Sequence, residues 1–219
     1  MSVFLFGHRK GGVAKTTNAV NFAVWLAHEG CDVILVDADS QQSAKSWADR
    51  RDESIAGGMS IPPVLTTSGK GNLLTLINDL SRRYQHVVVD AGGRDTVELR
   101  SGMLAADVFV MPTRASQLDL EGTDYINNLV IETRALKPSF LAYGMITMAP
   151  TNPMNHERKE ALEFLEMMPE LEVFPVFISE RKVFRDAMLD GRGVVEMSNS
   201  QAKAEVQLMG QELLSLVTP

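Results

Sequence analysis

One stretch of the sequence decides the fold: Gly7-His8-Arg9-Lys10-Gly11-Gly12-Val13-Ala14-Lys15-Thr16-Thr17. An apolar run at residues 3–6 precedes it, and residues 16–29, which have helical spacing, follow it. A strand, a glycine-rich loop and a helix start in this order form an anion site, because backbone N–H groups and the helix dipole converge on one point. We therefore predict that this loop holds phosphate groups.

The Lys15-Thr16 pair before the predicted helix matches the end of the P-loop pattern, which assigns roles to these polar side chains. Lys15 would reach the β and γ phosphates of ATP, or the β phosphate of ADP, and Thr16 would place its hydroxyl on Mg²⁺. Ala14 stands where the pattern has its last glycine, and alanine tolerates positive φ poorly. The alternative is a glycine-rich turn that caps the helix and leaves Lys15 in solvent. The predicted nucleotide-binding residues of the loop are Lys10, Gly11, Gly12, Val13, Ala14, Lys15, Thr16 and Thr17.

Outward from the loop, short apolar runs alternate with longer segments of helical spacing. Runs without polar alternation are typical of strands that are buried on both faces. The pattern predicts an α/β fold: a mainly parallel, twisted sheet with helices on both faces, in the three-layer arrangement of P-loop NTPases. The predicted strands lie at residues 3–6, 33–36, 87–89, 108–111, 142–147 and 173–176, and the predicted helices at 16–29, 72–83, 123–136 and 155–168. Residues 56–71 are predicted to be a loop with one short strand.

Two of the predicted strands end in carboxylates. Asp37 and Asp39 follow the run at 33–36, and Asp90 follows the run at 87–89. Open α/β sheets bind ligands at the carboxyl ends of their strands. An aspartate after an apolar strand is also the Walker B pattern, in which Asp90 would hold Mg²⁺ through water. The alternative for each is a carboxylate in a solvated turn or a helix cap.

Residues 10–17 closely resemble the deviant Walker A motif of the ParA/MinD ATPases. The mark of that motif is an extra lysine, which is Lys10 in this chain. The resemblance implies an ATP-bound sandwich dimer in which Lys10 crosses the interface to the phosphates held by the other copy. There, a second cation would act as an arginine finger does. Lys10 and Lys15 are therefore candidate catalytic residues.

The acidic motifs extend the resemblance. Residues 37–41 resemble the family's Asp-x-Asp-Pro-Gln motif, with Ser40 in place of the usual proline. The resemblance implies that Asp39 positions or activates the attacking water, as a third catalytic residue, and that Asp37 orders the water shell of magnesium. The predicted metal site is Thr16, Asp37 and Asp90. Further matches are residues 91–93 as a glycine variant of the family's loop, Arg94 and Asp95 as part of a switch, residues 110–113, Ser116, Asp119, residues 184–187 and Gly191.

Two other surfaces are predicted from position and charge. Asn152 and Pro153 follow the fifth predicted strand and are expected to approach the adenine. A net charge of -7 argues against a surface built entirely for nucleic acid. A local basic face remains as an alternative to an ordinary solvated helix, and it would bind the DNA backbone without reading bases. Its candidate residues are Arg181, Lys182, Arg185, Arg192 and Lys203.

The length and composition predict one domain, residues 1–219, in the cytoplasm. We expect no secretory signal, no membrane span and no N-terminal helix-turn-helix domain. A single cysteine, Cys31, fits a reducing compartment. Residues 204–217 have helical spacing with two glutamates and no Lys or Arg, which favours a helix packed on the domain over a membrane anchor.

Three functions fit these motifs. The first is a partition ATPase that dimerises on ATP, binds DNA non-specifically on the nucleoid and hydrolyses ATP weakly until a ParB-like, centromere-binding partner stimulates it. The second is a ParA-like positioner or scaffold of a protein cargo, with little DNA binding. The third is phosphoryl transfer to a small molecule, against which Lys10 argues.

Overall fold

The computed structural model describes residues 1–93, 96–114, 120–152 and 156–218. Its strands are β1 (Ser2–Phe6), β2 (Val33–Ala38), β3 (Leu65–Ser68), β4 (His86–Ala91), β5 (Val108–Thr113), β6 (Leu141–Ile146) and β7 (Glu172–Val173). Its helices are α1 (Lys15–His28), α2 (Ser43–Ala56), α3 (Leu74–Ser81), α4 (Val97–Ala105), α5 (Leu120–Leu136), α6 (Glu157–Glu166), α7 (Lys182–Leu189) and α8 (Ser200–Ser215). The strands form one sheet in the order β3-β2-β4-β1-β5-β6-β7, and every pairing is parallel.

Both faces of the sheet are covered, as the apolar runs predict. In β1, Val3 and Leu5 join one core while Phe4 and Phe6 join the other, because side chains alternate between the faces of a strand. The first core is closed by α3, α4, α5 and α6, and the second by α1, α2, α7 and α8. The predicted three-layer α/β architecture is confirmed.

Some elements depart from the apolar pattern. The run at 173–176 pairs with β6 over only Glu172 and Val173, and the short strand expected within 56–71 is β3. Helix α2 was not predicted, because it buries few side chains. Helix α8 covers the segment predicted to pack on the domain, and its buried residues belong to the second core: Ala202, Val206, Met209 and Leu213.

A buried arginine joins α2 to the chain after α7. The Arg51 side chain has no solvent exposure and makes a bidentate ion pair with Glu196, at 2.7 and 3.0 Å. It also donates to the carbonyl oxygens of Pro62 and Gly191. Burial alone would raise the pKa of Glu196, but the hydrogen bonds from Arg51 and from the Gly193 N–H keep it below its usual value. The ion pair is therefore fully hydrogen-bonded, as a buried pair must be.

We expect Arg51→Ala to lower the free energy of unfolding by about 3–5 kcal/mol, because it leaves the Glu196 carboxylate buried without its counter-ion. Urea denaturation followed by circular dichroism measures this loss. The neighbouring Arg50 donates one hydrogen bond to the Met188 carbonyl, so Arg50→Ala should cost only about 1 kcal/mol. Equal losses in the two variants would contradict the role given to Arg51.

Candidate nucleotide site

The predicted phosphate loop leaves the centre of the sheet, because β1 lies between β4 and β5. Gly12 and Ala14 have positive φ values of 75° and 63°. For a residue with a β-carbon this conformation costs about 1–2 kcal/mol, so Ala14 is strained where the P-loop pattern has glycine. Ala14 also gives α1 no side-chain cap, so the first N–H groups of the helix remain available to an anion.

The Lys15 side chain lies across the inside of the phosphate loop. Its side chain is buried, and its ammonium donates to the carbonyl of Lys10 at 2.9 Å. Burial lowers the pKa of Lys15, and the negative charges of Asp90 and Asp39 offset part of that shift. A desolvated ammonium inside a glycine-rich loop is placed to bind phosphate oxygens.

The backbone of Lys10 is held on both sides. Its N–H donates to Nδ1 of the buried His8 at 2.8 Å, and its carbonyl accepts the bond from Lys15. The Lys10 residue itself is half-buried. The loop therefore fixes the backbone from which the Lys10 side chain extends.

Three predicted carboxylates lie at one place on the sheet. The parallel register of β2 and β4 sets Asp37 opposite Asp90, and the register of β1 and β4 sets Phe6 opposite Asp90. Asp39 follows β2 by one residue and lines the cleft beside the phosphate loop. The structure thus brings Asp37, Asp39 and Asp90 together, as their positions at strand ends predict.

Asp37 organises the turn that carries Asp39. One carboxylate oxygen of Asp37 accepts the N–H of Asp39 at 3.0 Å, and the other accepts the N–H of Lys45 at 2.8 Å. The Asp39 carboxylate in turn accepts the N–H of Gln41. Burial raises the pKa of Asp37, while these backbone donors lower it in part. Asp37 therefore orients Asp39, in addition to the predicted role in ordering the water shell of magnesium.

The two glycines after β4 allow this loop to lie against both motifs. A β-carbon on Gly92 would lie 3.3 Å from Cγ of Asp39, and one on Gly93 would lie 3.3 Å from the backbone of Arg9, Lys10 and Gly11. Side chains at these positions would push the loop away from the phosphate site. Arg94, Asp95, Ser116 and Asp119, which were predicted from the family resemblance, lie outside the described residues.

Asp90 is fully buried, and neither of its carboxylate oxygens has a hydrogen-bond partner within the described ranges. Its pKa is raised to about 7, chiefly by burial; Asp37 and Asp39 contribute to the rise, and the Thr16 hydroxyl and the Lys15 ammonium oppose it. An orphaned buried carboxylate next to a hydroxyl fits a hydrated Mg²⁺ ion, which prefers oxygen ligands and keeps several waters. Thr16 and Asp90 are therefore suited to hold the ion.

The phosphate loop opens into a cleft of about 1220 Å³. Its far end is formed by the loops after β6 and β7, where Met148 has a positive φ of 51°. These residues form the wall on which a nucleotide base would lie: Met148, Ile178, Ser179, Glu180, Arg181 and Phe184. Position after β7 at the carboxyl edge is the sequence signal that could have found them. Asn152 is exposed and is not among the residues that line the cleft, and Pro153 lies outside the described residues.

The five predicted DNA-binding residues do not share one environment. Arg181 makes an ion pair with Glu205 and lines the cleft, Lys182 pairs with Asp186, and Arg192 donates to the Glu196 carbonyl. Arg185 is exposed at the rim of the cleft, and Lys203 is half-buried on α8. Intramolecular partners thus engage three of the five.

Comparison with known proteins agrees with this geometry. A family model described as an AAA domain matches residues 1–61. Over 212 residues, the chain is 32% identical to the maintenance of carboxysome distribution protein A of Gloeobacter kilaueensis, covering 93% of this chain and 90% of that protein. The chain belongs to the ParA/MinD family of P-loop ATPases.

Another relative is more distant in sequence, and a solved structure shows the same fold. The chromosome-partitioning ATPase Soj of Thermus thermophilus is 28% identical over 179 residues, which are 70% of this chain and 72% of Soj. The ATP complex of a Cyanothece McdA variant superimposes with a TM-score of 0.73 at 15% identity, over 97% of this chain and 96% of that one.

No helix in the described part of this ParA/MinD-type chain is long and apolar enough to cross a membrane.

The raised pKa of Asp90 predicts a pH-dependent stability of the nucleotide-free protein. A carboxyl with a pKa of about 7 when folded and about 3.9 when unfolded destabilises the fold increasingly from pH 4 to pH 7, and fully above pH 7. We expect Asp90→Asn to raise the free energy of unfolding by roughly 2–4 kcal/mol at pH 8, and by less as the pH falls towards 4.

Urea unfolding at a series of pH values from 4 to 8, without nucleotide, measures this difference. The matched control is Asp52→Asn, which removes an exposed carboxylate from α2 and should change stability little at any pH. A gain from Asp90→Asn that does not vary with pH would contradict a raised pKa.

Proposed function

We propose that this chain is an ATP-dependent positioning ATPase whose ATP-bound dimer holds a macromolecular cargo and releases it on hydrolysis. The observation that carries the proposal is the fixed backbone of Lys10, held by His8 and Lys15 at the mouth of a loop that faces buried carboxylates. A second lysine on a backbone fixed in this way fits delivery of its ammonium to the phosphates of another copy.

The proposed roles follow the geometry. Lys15, Thr17 and the N–H groups of residues 10–14 would bind the phosphates, and Mg²⁺ would neutralise charge between Thr16 and the water held by Asp90. Asp39, held by the Gln41 N–H and by the turn that Asp37 organises, would position the attacking water. Lys10 from the second copy would stabilise the charge that develops at the γ-phosphate. The walls at Met148 and Phe184 would receive the base.

A protein assembly is the favoured cargo. The chain has a net charge of -7, Arg181 and Arg192 are engaged within the protein, and the exposed Lys182 lies beside the carboxylate of Asp186. Duplex DNA binding depends on clustered, available cations. The relative at 32% identity is named for carboxysome distribution, which makes a large protein body a reasonable kind of cargo. Residues 1–219 would act as one cytoplasmic domain with weak, partner-stimulated ATPase activity.

DNA partition is the second candidate. Arg185 is exposed beside the cleft, and Arg185 and Lys203 have no ion-pair partner in the parts of the chain that the structure describes. Dimerisation would double this pair, and the similarity to Soj is to a chromosome-partitioning ATPase. In that case the chain would bind the nucleoid in its ATP state and respond to a ParB-like partner.

The two lysines should separate binding from catalysis. Lys15→Ala removes the ammonium inside the loop, so we expect the affinity for ATP to fall by at least about a hundredfold. Lys10→Ala should leave ATP affinity within about threefold, because it acts on the other copy, but abolish dimerisation and ATP turnover. Isothermal titration calorimetry, light scattering and phosphate release measure the three quantities. Full turnover by Lys10→Ala would rule out its role.

DNA and protein cargo can be told apart with the purified chain. With ATP we expect a dimer by light scattering but no ATP-specific rise in fluorescence anisotropy of random-sequence duplex DNA, at either about 50 or 200 mM salt. DNA binding confined to ATP and weakened by salt would instead support partition. Arg185→Ala/Lys203→Ala should then reduce it, while the control Arg82→Ala/Lys159→Ala, which removes two exposed cations elsewhere, should not.

A further inference from the structure

We call the residues on which a nucleotide base would lie the base wall: Met148, Ile178, Ser179, Glu180, Arg181 and Phe184. A residue of the last helix holds this wall in place. Glu205, on α8, accepts the N–H of Ser179 at 3.0 Å through one carboxylate oxygen. Its other oxygen accepts the hydroxyl of Ser179 at 2.7 Å and the guanidinium of Arg181 at 3.0 Å. One carboxylate thus fixes two residues that line the nucleotide cleft.

The wall has a second attachment, to the loop after β6. Ala149 donates to the Ile178 carbonyl at 2.9 Å, and Glu180 donates to the Ala149 carbonyl at 2.8 Å. These two bonds use one edge of the segment and leave the N–H of Ser179 directed to the other side, where Glu205 accepts it. Without Glu205 the Ser179 N–H would be a buried donor that lacks its acceptor, which is costly.

Helix α8, which carries Glu205, also packs on α1, the helix that begins at the phosphate loop. A β-carbon on Gly210 would overlap the indole of Trp25 on α1, so these two helices are in direct contact. Glu205 and Gly210 are five residues apart, or about 7.5 Å along α8. Lys15 and Thr16 lie at the start of α1 and Trp25 lies near its other end, so α8 packs on the helix that carries the phosphate residues, while Glu205 holds the base end of the cleft.

We propose that Glu205 is a positioning residue for the nucleotide base: through Ser179 and Arg181 it sets how far the base wall stands from the phosphate loop. This inference rests on the proposed nucleotide site and extends it to α8. Glu205 does not need to touch the nucleotide, because its two partners form the surface that does. Its loss should therefore weaken binding of the base without changing the chemistry at the γ-phosphate.

The test compares ligands that have and lack a base. We expect Glu205→Ala to weaken ATP and ADP binding by about tenfold or more, the effect of losing charge-assisted hydrogen bonds in the wall. Affinity for magnesium tripolyphosphate, which occupies only the phosphate end, should stay within about twofold. KM for ATP should rise in parallel with the dissociation constant, while kcat at saturating ATP stays within about twofold of the wild-type value.

Variants of graded severity keep the test interpretable. Glu205→Gln retains one acceptor oxygen for Ser179 in place of two and loses the charge opposite Arg181, so its ATP affinity should lie between wild type and Glu205→Ala. Ser179→Ala keeps the N–H bond and should have a smaller effect that does not add to that of Glu205→Ala in a double-mutant cycle. Glu212→Ala removes the same charge two turns further along α8 and should leave ATP affinity unchanged.

Each result decides between the explanations. Wild type that binds neither ATP nor tripolyphosphate would overturn the proposed function itself. If wild type binds both, equal ATP affinity in wild type and Glu205→Ala overturns the positioning role alone. If Glu205→Ala loses ATP and tripolyphosphate to the same extent, α8 supports the whole fold rather than the base wall, and the inference is wrong. A Glu205→Ala chain that does not fold leaves Ser179→Ala and Glu205→Gln to give the same comparison.

Discussion

The site depends on one pair of opposite charges, the buried carboxylate of Asp90 and the buried ammonium of Lys15. Both side chains are buried at the carboxyl edge of the central strands, where burial raises the pKa of the acid and lowers that of the base. Each charge stabilises the other, but the protein alone does not satisfy the oxygens of Asp90 within its described residues. A magnesium nucleotide supplies both the missing cation and the missing anion. The architecture therefore holds two charged groups whose solvation the ligand would complete.

The sequence predicts the fold, and it predicts which residues meet at the carboxyl ends of β2 and β4, because both depend on local patterns. Apolar runs that alternate with helical segments favour a parallel sheet covered on both faces, and strands such as β1 and β4 begin and end close to the predicted residues. The strand-end rule brings Asp37 and Asp90 together because parallel registers align their carboxyl ends. Spacing alone also identifies Ala14 as a residue forced into the left-handed region.

The rest of the structure depends on contacts between residues distant in sequence. Helix α2 is mostly polar, and its place is set by Trp47 and by Arg51, whose partners lie about 140 residues away. The charge pattern predicts that Arg181 is part of a DNA-binding surface. In the structure Arg181 instead lines the cleft, where it makes an ion pair with Glu205. No local pattern shows that pairing, because an arginine in a loop and a glutamate on a later helix are each ordinary surface residues until the fold brings them together.

The two tryptophans of the chain, Trp25 and Trp47, both lie in the core between the sheet and the α1, α2, α7 and α8 layer. The Trp47 indole donates to the Arg192 carbonyl, and the Trp25 ring stacks with Phe22. Tryptophan fluorescence of this protein consequently reports on one side of the sheet. Opening of the opposite layer, formed by α3 to α6, would leave the tryptophan emission spectrum nearly unchanged, and a melting curve followed by that emission would describe only half of the molecule.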